Sequence, residues 1–145
     1  PLDQAGLFLK APSSLVGPAA GIARRFPDRR TDYEIELVAI IGKEADRVAP
    51  QQALDVLAGY AIGLDITVRG PEDRSFRKSL DSYTVVGPWM TGAADIPDPQ
   101  RLTMALRLNG ELKFGGLRLC DAPSQFVRAA GNRNSAWAAF KDHAR

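Results

Sequence analysis

Cysteine and histidine are nearly missing from these 145 residues, and both shortages exclude chemistry. Cys120 is the single cysteine, so no disulfide can close within the chain and no Cys-rich zinc motif is present. That agrees with a reducing, cytoplasmic setting. His143 is the single histidine and sits near the C-terminal end between Lys141 and Arg145, where a mobile surface side chain is expected. A Ser-His-Asp or Cys-His nucleophile centre is therefore not expected. No apolar run approaches the roughly 20 residues of a membrane span, and no signal peptide is visible at Pro1. Neither sign of charge dominates: the formal net charge is +2, and the basic residues are scattered without interleaved aromatics. Neither nucleic acid nor a membrane is an expected partner. Internal repeats and low-complexity tracts are absent too. What remains, 45% hydrophobic and 25% charged residues, suits one soluble domain spanning residues 1–145.

Gly and Pro punctuate the chain from Ala11 to Gly21 and predict an irregular loop there. Pro50 starts a predicted helix carrying Ala53, Leu54, Leu57 and Ala58, with Gly59 as its C-terminal stop. Tyr83–Val86 reads as a strand, and the charged stretch Arg69–Lys78 as a solvated loop. Leu102, Met104, Leu106 and Leu108 alternate with more polar residues before Asn109-Gly110, which predicts a hairpin returning near Glu111 to Phe114. Ala122 to Ala130 and Ala136 to Phe140 suit two further helices. The expected class is α+β, a β-rich mixed-sheet domain with few helices.

Two strands carry the acidic residues that stand out. In Asp32-Tyr33-Glu34-Ile35-Glu36-Leu37, strand alternation puts Tyr33, Ile35 and Leu37 on one face and Glu34 and Glu36 on the other. Their Cα atoms are then roughly 6.6 Å apart. Two carboxylates that close repel unless a proton or cation intervenes, and a hard divalent ion such as Mg²⁺ suits their oxygens. A solvated acidic face also fits the pattern. From Tyr60 to Val68 the even positions (Tyr60, Ile62, Leu64, Ile66, Val68) are bulky and apolar. The odd ones are Ala61, Gly63, Asp65 and Thr67. Asp65 thus has small neighbours and room for an ion, although a hydrogen bond to a nearby loop would equally occupy it.

Taken in order, Leu7-Phe8-Leu9-Lys10, Asp32 to Leu37 with Ile41-Gly42-Lys43, Ala58-Gly59-Tyr60, Leu64-Asp65-Ile66-Thr67-Val68-Arg69, Lys78-Ser79-Leu80-Asp81, Gly87-Pro88-Trp89 and Asn109-Gly110-Glu111 resemble the fumarylacetoacetate hydrolase family. The match is strongest over residues 7–114. This resemblance implies a catalytic domain of that fold, incomplete at both flanks, and a Mg²⁺ or Mn²⁺ ion held by Glu34, Glu36 and Asp65. It implies a catalytic Lys78 lying over the substrate, with Lys10 and Arg69 as further substrate-binding residues. Family substrates are 2-oxo or β-diketo acids of the acylpyruvate type. They undergo C–C hydrolysis, decarboxylation or keto-enol isomerisation through a metal-bound enolate, here in aromatic-compound catabolism. A homodimer is also expected, because the missing flanks would leave apolar sheet surface exposed unless a partner covers it.

Some blocks depart from the family pattern. The usual Arg-Asp-x-Gln reads Arg69-Gly70-Pro71-Glu72 here, a form associated with bacterial aromatic-degradation members. The family's water-activating His-Glu pair precedes the first block and is not expected within these residues. The Gly/Thr-rich segment that follows the hairpin is missing, with only Asp121-Ala122-Pro123 as a faint echo. The alternative expectation is accordingly a non-catalytic relative that binds metal and dimerises. Lys78 is expected to act on the substrate rather than on stability.

Overall fold

Two long strands, β2 (Thr31–Ile41) and β3 (Leu57–Val68), organise the chain. The computed structural model describes residues 8–118 and 137–140, with side-chain detail for residues 8–113. They fall into two compact units, one built from Pro1–Glu36 and Ile62–Trp89, the other from Leu37–Ala61 and Met90–Arg145. Both β2 and β3 contribute one half to each unit.

In the first unit, β1 (Leu15–Val16) runs parallel to β4 (Thr84–Val86), which is antiparallel to β3 with Asp65 opposite Thr84. Strand β2 lies on the other side of β3. The sheet is therefore mixed, as expected, and helices are few. Ile66, Val68 and Tyr83 are fully enclosed, with Phe26, Leu64 and Leu80 packed against them. Ser14, delivered by the 3₁₀ turn Pro12–Ser14, is buried and shares a 2.6 Å hydrogen bond with Thr84.

In the second unit, β3 pairs antiparallel with β5 (Thr91–Gly92), and β2 with β8 (Trp137–Phe140). Its core is Leu37, Ala39 and Tyr60, covered by Leu57, Ala93, Ile96, Leu102 and Met104. The Asn109-Gly110 hairpin is present: both residues have positive φ (52° and 83°), as a tight two-residue turn requires. It joins β6 (Thr103–Leu108) to β7 (Glu111–Arg118).

Several expectations fail for identifiable reasons. The helix from Pro50 is a 3₁₀ helix that stops at Val56. The carbonyl of Val56 accepts from Gly42 and Lys43 (2.8 and 3.2 Å), drawing the chain into strand pairing before an α-helix can continue. Gly59 lies inside β3, not at a helix end, because a side chain there would overlap the Thr91 carbonyl of the neighbouring strand. Ile62, expected on a packed face, is 59% exposed. Residues 137–140 form a strand against β2 instead of a helix, since four residues are too few to nucleate one without tertiary support. Residues 122–130, Cys120 and His143 lie outside the described residues. No described helix is long and apolar enough to cross a membrane.

Replacing Gly59 by Ala forces a methyl group against the Thr91 backbone, which cannot swing aside as a side chain could. The variant should lose about 1–3 kcal/mol of stability, as overpacked positions do. Urea unfolding checks this; an unchanged midpoint would contradict the close strand approach.

Candidate metal centre

Strand β2 supplies Glu34 and Glu36 from one face, and β3 supplies Asp65. One carboxylate oxygen from each lies within 4.8 Å of the others. Glu36 and Asp65 are buried and Glu34 half-buried, so the solvated acidic face is not what the chain builds. Three carboxylates so placed need positive charge close by.

Cationic side chains come from outside these strands. The helix α1 (Arg74–Lys78) is a single turn, capped where the Asp73 carboxylate accepts from the Ser75 amide at 2.7 Å. That turn points Lys78 inward. The stretch expected to be a solvated loop therefore ends in a buried ammonium, 3% exposed. Its Nζ donates at 2.6 Å to Glu34 Oε2, Asp65 Oδ2 and Thr67 Oγ1. All three ammonium protons are thereby used. Lys10 Nζ donates to the other Asp65 oxygen, Oδ1, at 2.5 Å and to the Tyr83 carbonyl at 2.9 Å. Burial lowers the Lys10 pKa; the Asp65 carboxylate opposes that and the neighbouring Lys78 ammonium adds to it.

Arg69 closes the far side. Its Nε donates to Asp32 Oδ2 at 2.6 Å and its Nη2 to Glu34 Oε1 at 3.0 Å. Burial pushes the Asp32 carboxyl up, but hydrogen bonds from Arg30 and Arg69 outweigh it and hold the group below its ordinary range. The Phe8 ring lies beside the cations, 5.1 Å from Lys78 Nζ and 5.9 Å from the Arg74 guanidinium carbon.

All six residues singled out in the sequence, Lys10, Glu34, Glu36, Asp65, Arg69 and Lys78, meet in this one cluster. Thr67 and Asp32 were not singled out, although each shares its strand face with a residue that was: Thr67 with Asp65, and Asp32 with Glu34 and Glu36. The Tyr83 carbonyl left no signal in the sequence.

The donor set fits a hard divalent ion. One oxygen from each carboxylate lies within 4.8 Å of the others, so the three would draw closer to share one octahedral ion of Mg²⁺ size. Carboxylates without thiolates or imidazoles suit Mg²⁺ or Mn²⁺.

The family model described as fumarylacetoacetate (FAA) hydrolase C-terminal matches residues 1–115. This chain belongs to the fumarylacetoacetate hydrolase family. A maleylpyruvate hydrolase of Aquipseudomonas alcaligenes is 52% identical over 112 residues, covering 77% of this chain and 39% of that protein. The crystal structure of a maleylpyruvate hydrolase from Sphingobium sp. SYK-6, in complex with manganese(II) and pyruvate, superposes with a TM-score of 0.72 at 41% identity. That match covers 79% of this chain and 42% of the other. A bifunctional isomerase/decarboxylase of 4-hydroxyphenylacetate degradation from Salmonella dublin is 33% identical over 115 residues, 76% of this chain and 27% of that protein. The chain thus spans well under two thirds of the length of these relatives.

Burial of Lys78 revises the expectation that it is dispensable for stability. Lys78→Met leaves Glu34 and Asp65 facing each other without their shared ammonium and should destabilise the metal-free protein by about 3 kcal/mol. Mn²⁺ supplies the missing positive charge. The Mn²⁺-induced rise in melting temperature should therefore exceed that of the wild type, while Glu36→Ala should show none. Equal rises in wild type and Lys78→Met would argue against an ion among these carboxylates.

Proposed function

We propose that this chain is the metal-binding part of an enzyme that hydrolyses acylpyruvate-type 2-oxo acids in aromatic-compound catabolism. The observation that carries the reading is the three-carboxylate cluster, in which the buried Lys78 ammonium joins Glu34 to Asp65 and the half-buried Lys10 holds the other Asp65 oxygen. Similarity to maleylpyruvate hydrolases supports the substrate class. It favours C–C hydrolysis over the decarboxylation and isomerisation named for the more distant Salmonella relative.

In this reading Glu34, Glu36 and Asp65 hold Mg²⁺ or Mn²⁺, and the bound ion would supply Lewis-acid polarisation of the substrate oxygens. Hydrolysis adds water to the acyl carbonyl and breaks its bond to the methylene carbon. The electron pair leaves on pyruvate enolate, which takes up one proton to give pyruvate alongside the released acid. In this reading Lys78 and Lys10, freed in part from Glu34 and Asp65 once those carboxylates turn to the ion, would stabilise the oxygen on which that negative charge develops. Lys78 is the proposed catalytic residue. Arg69 holds Glu34 and Asp32 and has further N–H groups with which to meet a carboxylate. Phe8 shields Lys78 from water, which strengthens each of these interactions.

A second reading, metal binding without turnover, is favoured by one observation. Both oxygens of Glu34 and of Asp65 are held by cations, and no described residue is a histidine that could accept a proton. Acid–base help is worth roughly 10²–10⁴-fold in rate. A panel of acylpyruvates, followed by loss of ultraviolet absorbance with and without Mn²⁺, separates the readings when paired with oxalate calorimetry. Mn²⁺-dependent consumption supports the enzyme. Oxalate binding without consumption supports the second reading, and absence of both removes the site.

A homodimer is also proposed. Exposure of Trp89 (75%) and Ile62 (59%) supports it, since large apolar side chains on a surface call for cover. Sedimentation equilibrium should return twice the chain mass; a monomer at micromolar concentration would count against it.

A further inference from the structure

Beside the carboxylate cluster, the loop from Arg69 to Glu72 is gripped by a side chain the proposed chemistry does not use. The Arg29 guanidinium faces Glu72 with two parallel hydrogen bonds, Nη1 to Oε1 at 2.9 Å and Nη2 to Oε2 at 2.7 Å. Its Nε and Nη2 also donate to the Arg69 carbonyl, at 2.9 and 2.7 Å. The Phe26 ring backs the guanidinium at 4.9 Å, and Phe76 leans on Phe26 at 6.5 Å. Arg77 Nε holds the Glu72 carbonyl at 2.8 Å. Gly70 is the seat of this arrangement: a Cβ there would fall on the Arg29 guanidinium and against the Glu72 carboxylate.

The Arg69 main chain is thus held on both sides, its N–H by the Arg30 carbonyl at 2.8 Å and its carbonyl by Arg29. From that fixed point its side chain reaches Asp32 and Glu34. We propose that Arg29 and Glu72, seated over Gly70, form a clamp that positions the Arg69 guanidinium and, through it, the Glu34 carboxylate. Arg29 and Glu72 are positioning residues, not catalytic ones. A surface ion pair alone is a weak source of stability, and this one is partly exposed. A two-bond fork with an aromatic backing is instead a device for orientation, which a lysine at position 29 could not reproduce. The hydrogen bond from Arg29 also holds the Glu72 carboxyl below its usual range, so the clamp stays charged near neutrality.

Two variants break the clamp differently: Glu72→Gln removes the charge, and Gly70→Ala pushes aside only the ends of flexible side chains. The direct readout needs no metal. The Arg69 Nε–H, assigned by its disappearance in Arg69→Lys, should be a slowly exchanging NMR signal in the wild type and lose that protection in both variants. The second readout rests on the proposed metal centre and uses Mn²⁺ calorimetry in a double-mutant cycle. Glu72→Gln should weaken Mn²⁺ binding about five-fold in the wild type but less than about two-fold in an Arg69→Met background, because coupled residues are not additive. Retention of the Nε–H protection, or equal losses of Mn²⁺ affinity in both backgrounds, would overturn the clamp. If the wild type bound no Mn²⁺, the metal reading would fail, and the NMR result would decide the clamp alone.

Discussion

Mutual repulsion among Glu34, Glu36 and Asp65 is the constraint on which the rest of the first unit depends. With oxygens no more than 4.8 Å apart and an effective dielectric constant near 20, each pair of charges repels by roughly 3.5 kcal/mol or more. Three such pairs together reach the roughly 5–15 kcal/mol by which a whole domain is stable. The carboxylates cannot be buried unless compensation is built around them. Lys78 and Lys10 supply it by dividing the two Asp65 oxygens between them, and Arg69 takes the outer oxygen of Glu34. The single turn of α1, the Asp73 cap and the loop around Lys10 are local structure that this compensation requires.

The division of labour between elements has a chemical consequence. The acids are short side chains on paired strands, whose backbone the sheet holds at fixed spacing. The cations are long side chains arriving from a one-turn helix and a loop. Carboxylates on a rigid frame keep a donor set together, while ammonium groups on four-carbon stems can give way to an ion and turn toward an incoming anion. The reverse arrangement would hold the cations fixed and leave the ligands to wander.

Much of this centre was legible in the sequence because strand alternation is a strict rule. The positions of Glu34, Glu36 and Asp65 follow from a period of two, and Asn109-Gly110 dictates its turn through backbone conformation. Other features depend on partners far along the chain. Nothing local distinguishes Lys78 at the end of a charged run from a solvated lysine; only the carboxylates 13 and 44 residues away make its burial favourable. The stretch from Pro50 has helical spacing, but the end of β2 captures its last carbonyl. Gly59 has the look of a helix stop and is instead the point where two strands come closest. In each case a long-range contact overrode a correct local propensity.

Family membership and local geometry constrain different things here. The carboxylates and Lys78 lie within residues 1–115, the stretch that matches the family. The run Gly70-Pro71-Glu72 is where Arg29 is anchored. A glycine at position 70 leaves room for the guanidinium, and a carboxylate at position 72 gives the fork something to grip. An uncharged amide at position 72 has one acceptor oxygen where the carboxylate has two, and could not take both bonds of that fork. Arg29, Gly70 and Glu72 are therefore mutually consistent: each makes physical sense only in the presence of the others. They act on Arg69, which touches Glu34 directly. Variation in this loop can in this way reach Glu34 without altering it.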